Sequence, residues 1–313
     1  MASRGEVLIG VDPHPKSHTA CAVDQEGREL GRMDVGSGVD GARQLLEWAR
    51  DYEPRRWAIE GPGNAWARPL VTTLLGAGEA IVAISPAMTA EYRKRRWRGK
   101  DDRIDAANAA RALKANPDLP RYSPPDYERA LKELTRTYQR VSQQLTATRM
   151  ALRLLEAPEA RQALLKVEDA LKAARTQLKT TLARTVQPLA GPLLARRGVG
   201  PVVAAMVLAE TGSISRFRSR DAFASFAGCA PVRWASGAHE CVRVNPGGSR
   251  RLNWAVHIIV LGRLRLEART REYRDRKLNE GKTQREVIRA LKTYVCRELY
   301  WILKSLDPHP STA

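Results

Sequence analysis

Apolar residues change their spacing twice along this chain. Up to about residue 115, short apolar runs alternate with amphipathic stretches. Val7–Val11, Thr19–Val23 and Arg28–Val35 read as three consecutive strands, with Asp24-Gln25-Glu26-Gly27 in the second turn. Val39–Asp51 reads as an amphipathic helix, Arg56–Ile59 as a fourth strand, Asn64–Leu75 as a helix, Ala80–Ile84 as a fifth strand, and Ala87–Arg96 as a helix. An Ala-rich helix follows from Asp101 to Leu113. Three antiparallel strands followed by strand-helix alternation is the order of a ribonuclease H-like α/β domain, in which the first and fourth strands are neighbours.

A different period begins after the Pro-rich linker Asn116–Pro125. Tyr127, Leu131, Leu134, Tyr138, Val141, Leu145, Thr148, Leu152 and Leu155 alternate spacings of four and three, the seam of a long helix. A helix of ~30 residues would reach ~45 Å. After Pro158 a second seam runs through Leu164, Val167, Leu171, Ala174 and Leu178. Two outcomes are open: an intramolecular helical hairpin, or a coiled coil joining two copies. From about Pro188 the pattern becomes irregular. Arg197-Gly198-Val199-Gly200-Pro201 has the Gly-apolar-Gly turn of a helix-hairpin-helix, and a loop of small and polar residues is expected from Pro231 through Ser236 and Gly237 to Gly247-Gly248. Two basic helices, Arg250–Arg271 and Thr283–Lys304, close the chain. The expected domains are therefore 1–120 (α/β), 121–187 (helical) and 188–313 (mainly helical).

Composition adds a partner. Fifty-three Lys and Arg against 34 Asp and Glu leave a formal charge of +19, far beyond the needs of solubility, and a polyanion such as nucleic acid is the physical expectation. The basic run Arg93, Lys94, Arg95, Arg96, Trp97, Arg98 and Lys100 offers phosphate contacts with one aromatic ring to stack on a base. Gly198 and Gly200 offer backbone N–H groups at a helix start, and Arg250 and Arg251 open a basic helix. No run approaches the ~20 apolar residues of a membrane span. Met1–Gly5 leads straight into a strand, so a bacterial cytoplasmic, nucleoid-associated location is expected. Cys21, Cys229, Cys241 and Cys296 form no Cys-x-x-Cys pair and read as free thiols. His14 and His18 are four apart with no helix to align them as a zinc pair.

The chemistry is carried by four carboxylates. Asp12 ends the first apolar strand, Glu60 ends the fourth before Gly61-Pro62-Gly63, and Asp102 and Asp105 lie three apart on one face of the Ala-rich helix. Singly, each has an ordinary explanation as a turn, a cap or a complement to a helix dipole. Together they are the hard oxygen donors that Mg²⁺ prefers. An actin-like nucleotide-binding domain starts with similar strands, but it places glycines and small hydroxyl residues after its aspartate. Here Pro13-His14-Pro15-Lys16 follows Asp12.

The chain resembles, over nearly its full length, the DEDD transposases of the insertion-sequence one-ten class, related to the Piv DNA invertase. The resemblance rests on Gly10-Val11-Asp12-Pro13-His14, Glu60-Gly61-Pro62-Gly63, Lys100–Ala106, Gly198-Val199-Gly200-Pro201, Gly228-Cys229-Ala230-Pro231 leading to Ser236-Gly237, Asn245–Asn253 and Glu280–Glu286. It implies a RuvC-like N-terminal domain, a helical coiled-coil insertion and a mainly helical C-terminal transposase domain. It carries the family's acids onto Asp12, Glu60, Asp102 and Asp105, holding two Mg²⁺ ions, and its nucleophilic serine onto Ser236. It further implies donor and target DNA, a structured guide (bridge) RNA, and a homodimer or homotetramer. Two positions depart from the family pattern: Pro15 stands where a lysine is usual, and Asp101 where Thr or Ser is usual. The expected activity is Mg²⁺-dependent cutting and rejoining of DNA through a covalent phosphoserine. The competing readings are a junction resolvase using water as nucleophile, and a nucleic-acid-binding protein without catalysis.

Overall fold

The computed structural model describes residues 5–96, 102–236, 239–244 and 248–306; at 87, 93–96, 102–103, 231–236 and 239–244 only the backbone is described. The chain divides into two compact units, 1–123 and 124–313.

The first unit is built on one five-stranded sheet. Its strands are β1 (Val7–Pro13), β2 (Ser17–Val23), β3 (Glu29–Gly36), β4 (Arg55–Glu60) and β5 (Ile81–Ile84), in the order β3-β2-β1-β4-β5. β1 pairs antiparallel with β2 and parallel with β4, and β5 pairs parallel with β4, so the first and fourth strands are neighbours as the sequence predicts. β1 is apolar at both parities because both faces of the sheet are covered. On one face Ile9, Val11, Ala20, Ala22, Trp57, Ile59 and Ile81 join a core with Leu45 of helix α1 (Val39–Trp48) and Leu70 and Leu74 of α2 (Arg68–Gly76). On the other, Leu8, Cys21, Val23, Ala58, Val82 and Ile84 pack against the alanines of α4 (Asp102–Ala115). Helix α3 (Pro86–Arg96) packs beside α4, where the Tyr92 hydroxyl donates to the Arg111 carbonyl at 3.2 Å. α2 begins at Arg68 rather than the expected Asn64. Gly61, at φ 58°, opens a turn closed by Asn64 N–H to the Gly61 carbonyl at 3.0 Å, which holds the chain out of a helix.

Contact between α4 and β1 is unusually close. A Cβ on Gly10 would fall 1.9 Å from the Ala106 carbonyl oxygen and 2.6 Å from the Ala110 nitrogen. The direction of α4 follows from its far end. Arg56, on the second residue of β4, bonds Glu6 at 2.9 Å and the carbonyl of Pro117, just beyond α4, at 3.1 Å. α4 therefore ends at the edge where β1 and β4 begin, and it starts at the edge where they end.

In the second unit, α5 (Asp126–Leu152) and α6 (Pro158–Val186) form an antiparallel hairpin across a five-residue connection. The expected α5 seam is buried at Leu131, Leu145 and Leu152 and half-buried at its other positions, and it is closed by α6 and α8 (Pro201–Thr211) of the same chain. The α6 seam differs at one point. Val167 is 46% exposed, and Glu168 turns inward instead, bonded to Arg149 at 2.9 Å and Lys172 at 3.0 Å. The base of the hairpin shares one core with the C-terminal helices, through Leu131, Leu182 and Val186. α8 is apolar all round and buried from Val203 to Ala209, as suits a central helix. Around it lie α7 (Gly191–Leu194), α9 (Arg220–Phe226), α10 (Arg250–Leu266), α11 (Ala268–Asn279) and α12 (Gln284–Leu306).

Two expectations are corrected in this unit. The stretch from Pro231 is not a loop: β6 (Pro231–Ser236) and β7 (His239–Val244) pair antiparallel. The first basic helix is also broken at Glu267, whose backbone is extended at φ −125°, ψ 118°, so α10 and α11 are separate.

Gly10→Ala tests the close approach directly. The added methyl cannot be accommodated without moving α4, and unfolding by denaturant should show a loss of about 2 kcal/mol or more. A neutral result would mean that α4 is not seated on β1 in this way.

Candidate active site

Asp12 and Glu60 are brought together by strand register. Val11 pairs with Ile59 in the parallel β1/β4 ladder, so the next residue on each strand projects to the same face at the same level. That face also carries Gly10 and Ala58, and α4 lies on it. Asp102 opens α4 and Asp105 stands one turn on, at the end of the helix that meets the ends of these strands. From Ala106, over Gly10, back to Asp102 is ~6 Å of helix, and from Gly10 to Asp12 is ~6.6 Å of strand, so the two advance in step.

Asp12 and Glu60 are each held by a hydrogen bond. Asp12 is 8% exposed and accepts from His14 Nε2 at 3.2 Å. Glu60 accepts from Thr89 Oγ1 at 2.7 Å, and that hydroxyl also lies 3.0 Å from the Pro86 carbonyl. Asp105 is 3% exposed. The Asp102 side chain and Asp101 lie outside the described residues. Among the described residues, no three His, Cys, Asp or Glu side chains are gathered within reach of one metal ion. The donor chemistry nonetheless fits a hard divalent cation, since all four acids supply oxygen and sit at one edge of one sheet. Thr89 is the residue that sequence reasoning missed; Ser85-Pro86-Ala87-Met88-Thr89 carries no spacing that marks it.

His18 belongs to the other face of the sheet. It pairs with Pro13 and alternates with Ala20 and Ala22, which face α1 and α2. Burial lowers its pKa, against the raising effect of its Nδ1 hydrogen bond to the Ser17 carbonyl, with the His14 charge lowering it further. Cys21, under α4, is a buried thiol pushed up to about 11 by desolvation and by Glu29.

The remaining expected residues separate. Ser236 is the last residue of β6, opposite His239 of β7, in the second unit; its side chain and Gly237 lie outside the described residues. Arg93, Lys94, Arg95 and Arg96 form the end of α3, with only their backbone described, and Trp97, Arg98 and Lys100 lie outside the described residues. Gly198, at φ 82°, has a packing role: a Cβ there would fall 2.7 Å from the Ile259 carbonyl oxygen of α10. Gly200 is exposed at the start of α8. Arg250 is exposed, whereas Arg251 is used internally. Its guanidinium bonds Glu210 of α8 at 2.6 Å, Thr135 of α5 at 3.0 Å, and Gln139 of α5. Successive residues on a helix point ~100° apart, so one arginine faces water and the next faces the core.

Residues 9–156 match the DEDD transposase model of the IS110 class, described as Transposase, and residues 192–275 match the model described as Transposase IS116/IS110/IS902 family. The chain belongs to this transposase family. It is 30% identical over 132 residues to the insertion element IS116 uncharacterized 44.8 kDa protein of Streptomyces clavuligerus. That match covers 41% of this chain and 33% of the relative, so the chain spans about a third of that protein's length. Among solved structures, the T. thermophilus RuvC in complex with Holliday junction substrate is similar at 16% identity and a TM-score of 0.31, covering 36% of this chain and 96% of that one. A second Thermus thermophilus RuvC structure gives 16% and 0.31, covering 37% and 99%. Among the described residues of this family member, no helix is long and apolar enough to cross a membrane.

Two consequences can be measured. A histidine whose folded pKa lies below its unfolded 6.5 favours folding when neutral, so the His18 contribution is complete above pH 6.5 and is lost as pH falls through the folded value. Unfolding free energy should decline with pH in that acid range, and His18→Gln should flatten the decline; an unchanged slope would assign it elsewhere. Arg251→Ala should lower stability by about 2 kcal/mol by stranding Glu210, whereas Arg250→Ala should stay within about 0.5 kcal/mol. Equal effects from the two would refute the division of roles.

Proposed function

We propose that the chain is a Mg²⁺-dependent DNA recombinase that cuts and rejoins strands to move an insertion sequence. The observation that best supports this reading is the convergence of the ends of β1 and β4 with the start of α4, which carries Asp12, Glu60, Asp102 and Asp105 to one edge of the sheet. Membership in the transposase family supports it independently.

Asp12, Glu60, Asp102 and Asp105 would hold the cation pair, with Thr89 fixing Glu60 and His14 fixing Asp12. When bound, Mg²⁺ neutralises charge on the scissile phosphate and on the departing oxygen. The alanines of α4 pack against the apolar residues of β1, β2, β4 and β5 on the face that carries the acids. Ser236 of β6 is the proposed nucleophile. Its Oγ loses a proton and bonds to phosphorus, the bond from phosphorus to the 3′ oxygen breaks, and that oxygen leaves as a 3′ hydroxyl. The phosphoserine conserves the ester for rejoining. The partners proposed are donor and target DNA and a structured guide RNA, which the +19 charge favours electrostatically, in a dimeric or tetrameric assembly.

The decisive experiment mixes the protein with cognate DNA, Mg²⁺ and RNA and looks for a protein-DNA adduct that survives denaturing electrophoresis. The expected product has Ser236 esterified to a 5′ phosphate. Asp12→Asn, Glu60→Gln, Asp102→Asn, Asp105→Asn and Ser236→Ala should each abolish it while DNA is still bound. Cutting by Ser236→Ala at the parent rate, leaving free 5′ phosphates, would make water the nucleophile and the resolvase reading the better one.

A further inference from the structure

Asn108 is 1% exposed, and its Nδ2 is buried with no hydrogen-bond partner. An amide donor left in that state is costly, and folded proteins pair the great majority of such groups. Packing does not require it. The surrounding positions of α4 are Ala106, Ala107, Ala109, Ala110 and Ala112, all buried, and an apolar residue at 108 would fill the space without desolvating an amide.

Its location is specific. Asn108 lies one turn beyond Asp105, at the i, i+3 spacing that sets side chains ~5–6 Å apart at Cβ. Ala106 faces Gly10 of the sheet, and Arg111 reaches the Gly27 carbonyl at 3.4 Å on one flank. Residue 108 stands ~200° around α4 from Ala106, on the side turned away from the sheet and ~60° from both Asp105 and Arg111, while α3, which packs beside α4, brings Thr89 to Glu60. Thr89 already shows how this site treats an acid: a buried neutral donor holds one carboxylate oxygen of Glu60.

We propose that Asn108 is the matching positioning residue on α4. Its amide donates to the Asp105 carboxylate in the cation-bound state, so that the second oxygen is aimed at the metal. Hydrogen bonds of this kind orient metal ligands and typically change affinity 10–100-fold when removed. The inference rests on the acid-site reading above, and it concerns how that site is organised rather than what reaction it performs.

The test uses the full chain without nucleic acid, titrated with Mn²⁺ by calorimetry, alongside thermal unfolding without metal. Asn108→Leu keeps the volume and removes the unpartnered amide. Its midpoint without metal should equal or exceed the parent's, while Mn²⁺ binds tenfold more weakly or worse. Asn108→Ala should show the same weakening, which covers the case in which leucine packs badly. Mn²⁺ affinity within twofold of the parent in a folded variant of either kind would overturn the proposal, leaving Asn108 a tolerated core amide. Asp105→Asn runs in parallel. If it binds Mn²⁺ like the parent, the acid-site reading fails and this inference with it; if it loses binding while Asn108→Leu does not, only the inference fails.

Discussion

The first unit depends on one close approach, the backbone of α4 lying directly on Gly10 of β1. No side chain stands between them, since a Cβ at residue 10 would overlap the Ala106 carbonyl. Alanines at 106, 107, 109, 110 and 112 let the helix come that near, and the absence of large side chains fixes its height. Direction is then set at the far end by Arg56, which holds Glu6 and the Pro117 carbonyl together. Height and direction together decide which residues of α4 meet the strand ends, so a steric constraint at the middle of the sheet determines the electrostatics at its edge. Buried acids at that edge are costly unless bonded, and the hydrogen bonds from His14 and Thr89 offset part of that cost.

The second unit solves a different problem. Its central helix α8 is apolar on every side and must be surrounded, which the base of the α5–α6 hairpin, α10 and their neighbours accomplish. A polar seam through this core joins Glu210, Arg251, Thr135 and Gln139 from three helices. A paired and hydrogen-bonded arginine of this kind specifies which helices meet, at the expense of a surface cation. Gly198 serves the same core by letting the turn before α8 approach α10.

Much of the first unit was legible because its signals are local. β1 and β4 are continuous apolar runs that end in an acid, and their order along the chain predicts their neighbourhood. Register completed the placement of Asp12 beside Glu60, and the alanine pattern of α4 marked it as a helix, while its close seat on β1 came only with the structure. Thr89 and Asn108 were illegible, because the role of each depends on where α3 and α4 lie rather than on any spacing. In the second unit, Val232 and Trp234 before Gly237-Ala238 and Val242 and Val244 after it carried a hairpin alternation, obscured by the interspersed small and polar residues. The break at Glu267 has no Pro or Gly beside it; its carboxylate accepts from Thr270 in the first turn of α11, a local contact that the residue types alone do not announce. Arg250 and Arg251 look alike in sequence and differ only in the direction each faces.

The central claim is that three separate segments, ending at Asp12, ending at Glu60 and beginning at Asp102, form one cation site. Iron(II) substituted into that site, with ascorbate and peroxide, would cut the backbone wherever it lies close to the metal. The account predicts breaks near residues 12, 60 and 102–105 appearing together and suppressed together by excess Mg²⁺. Cuts confined to one of these segments, or scattered along the chain without protection by Mg²⁺, would contradict it.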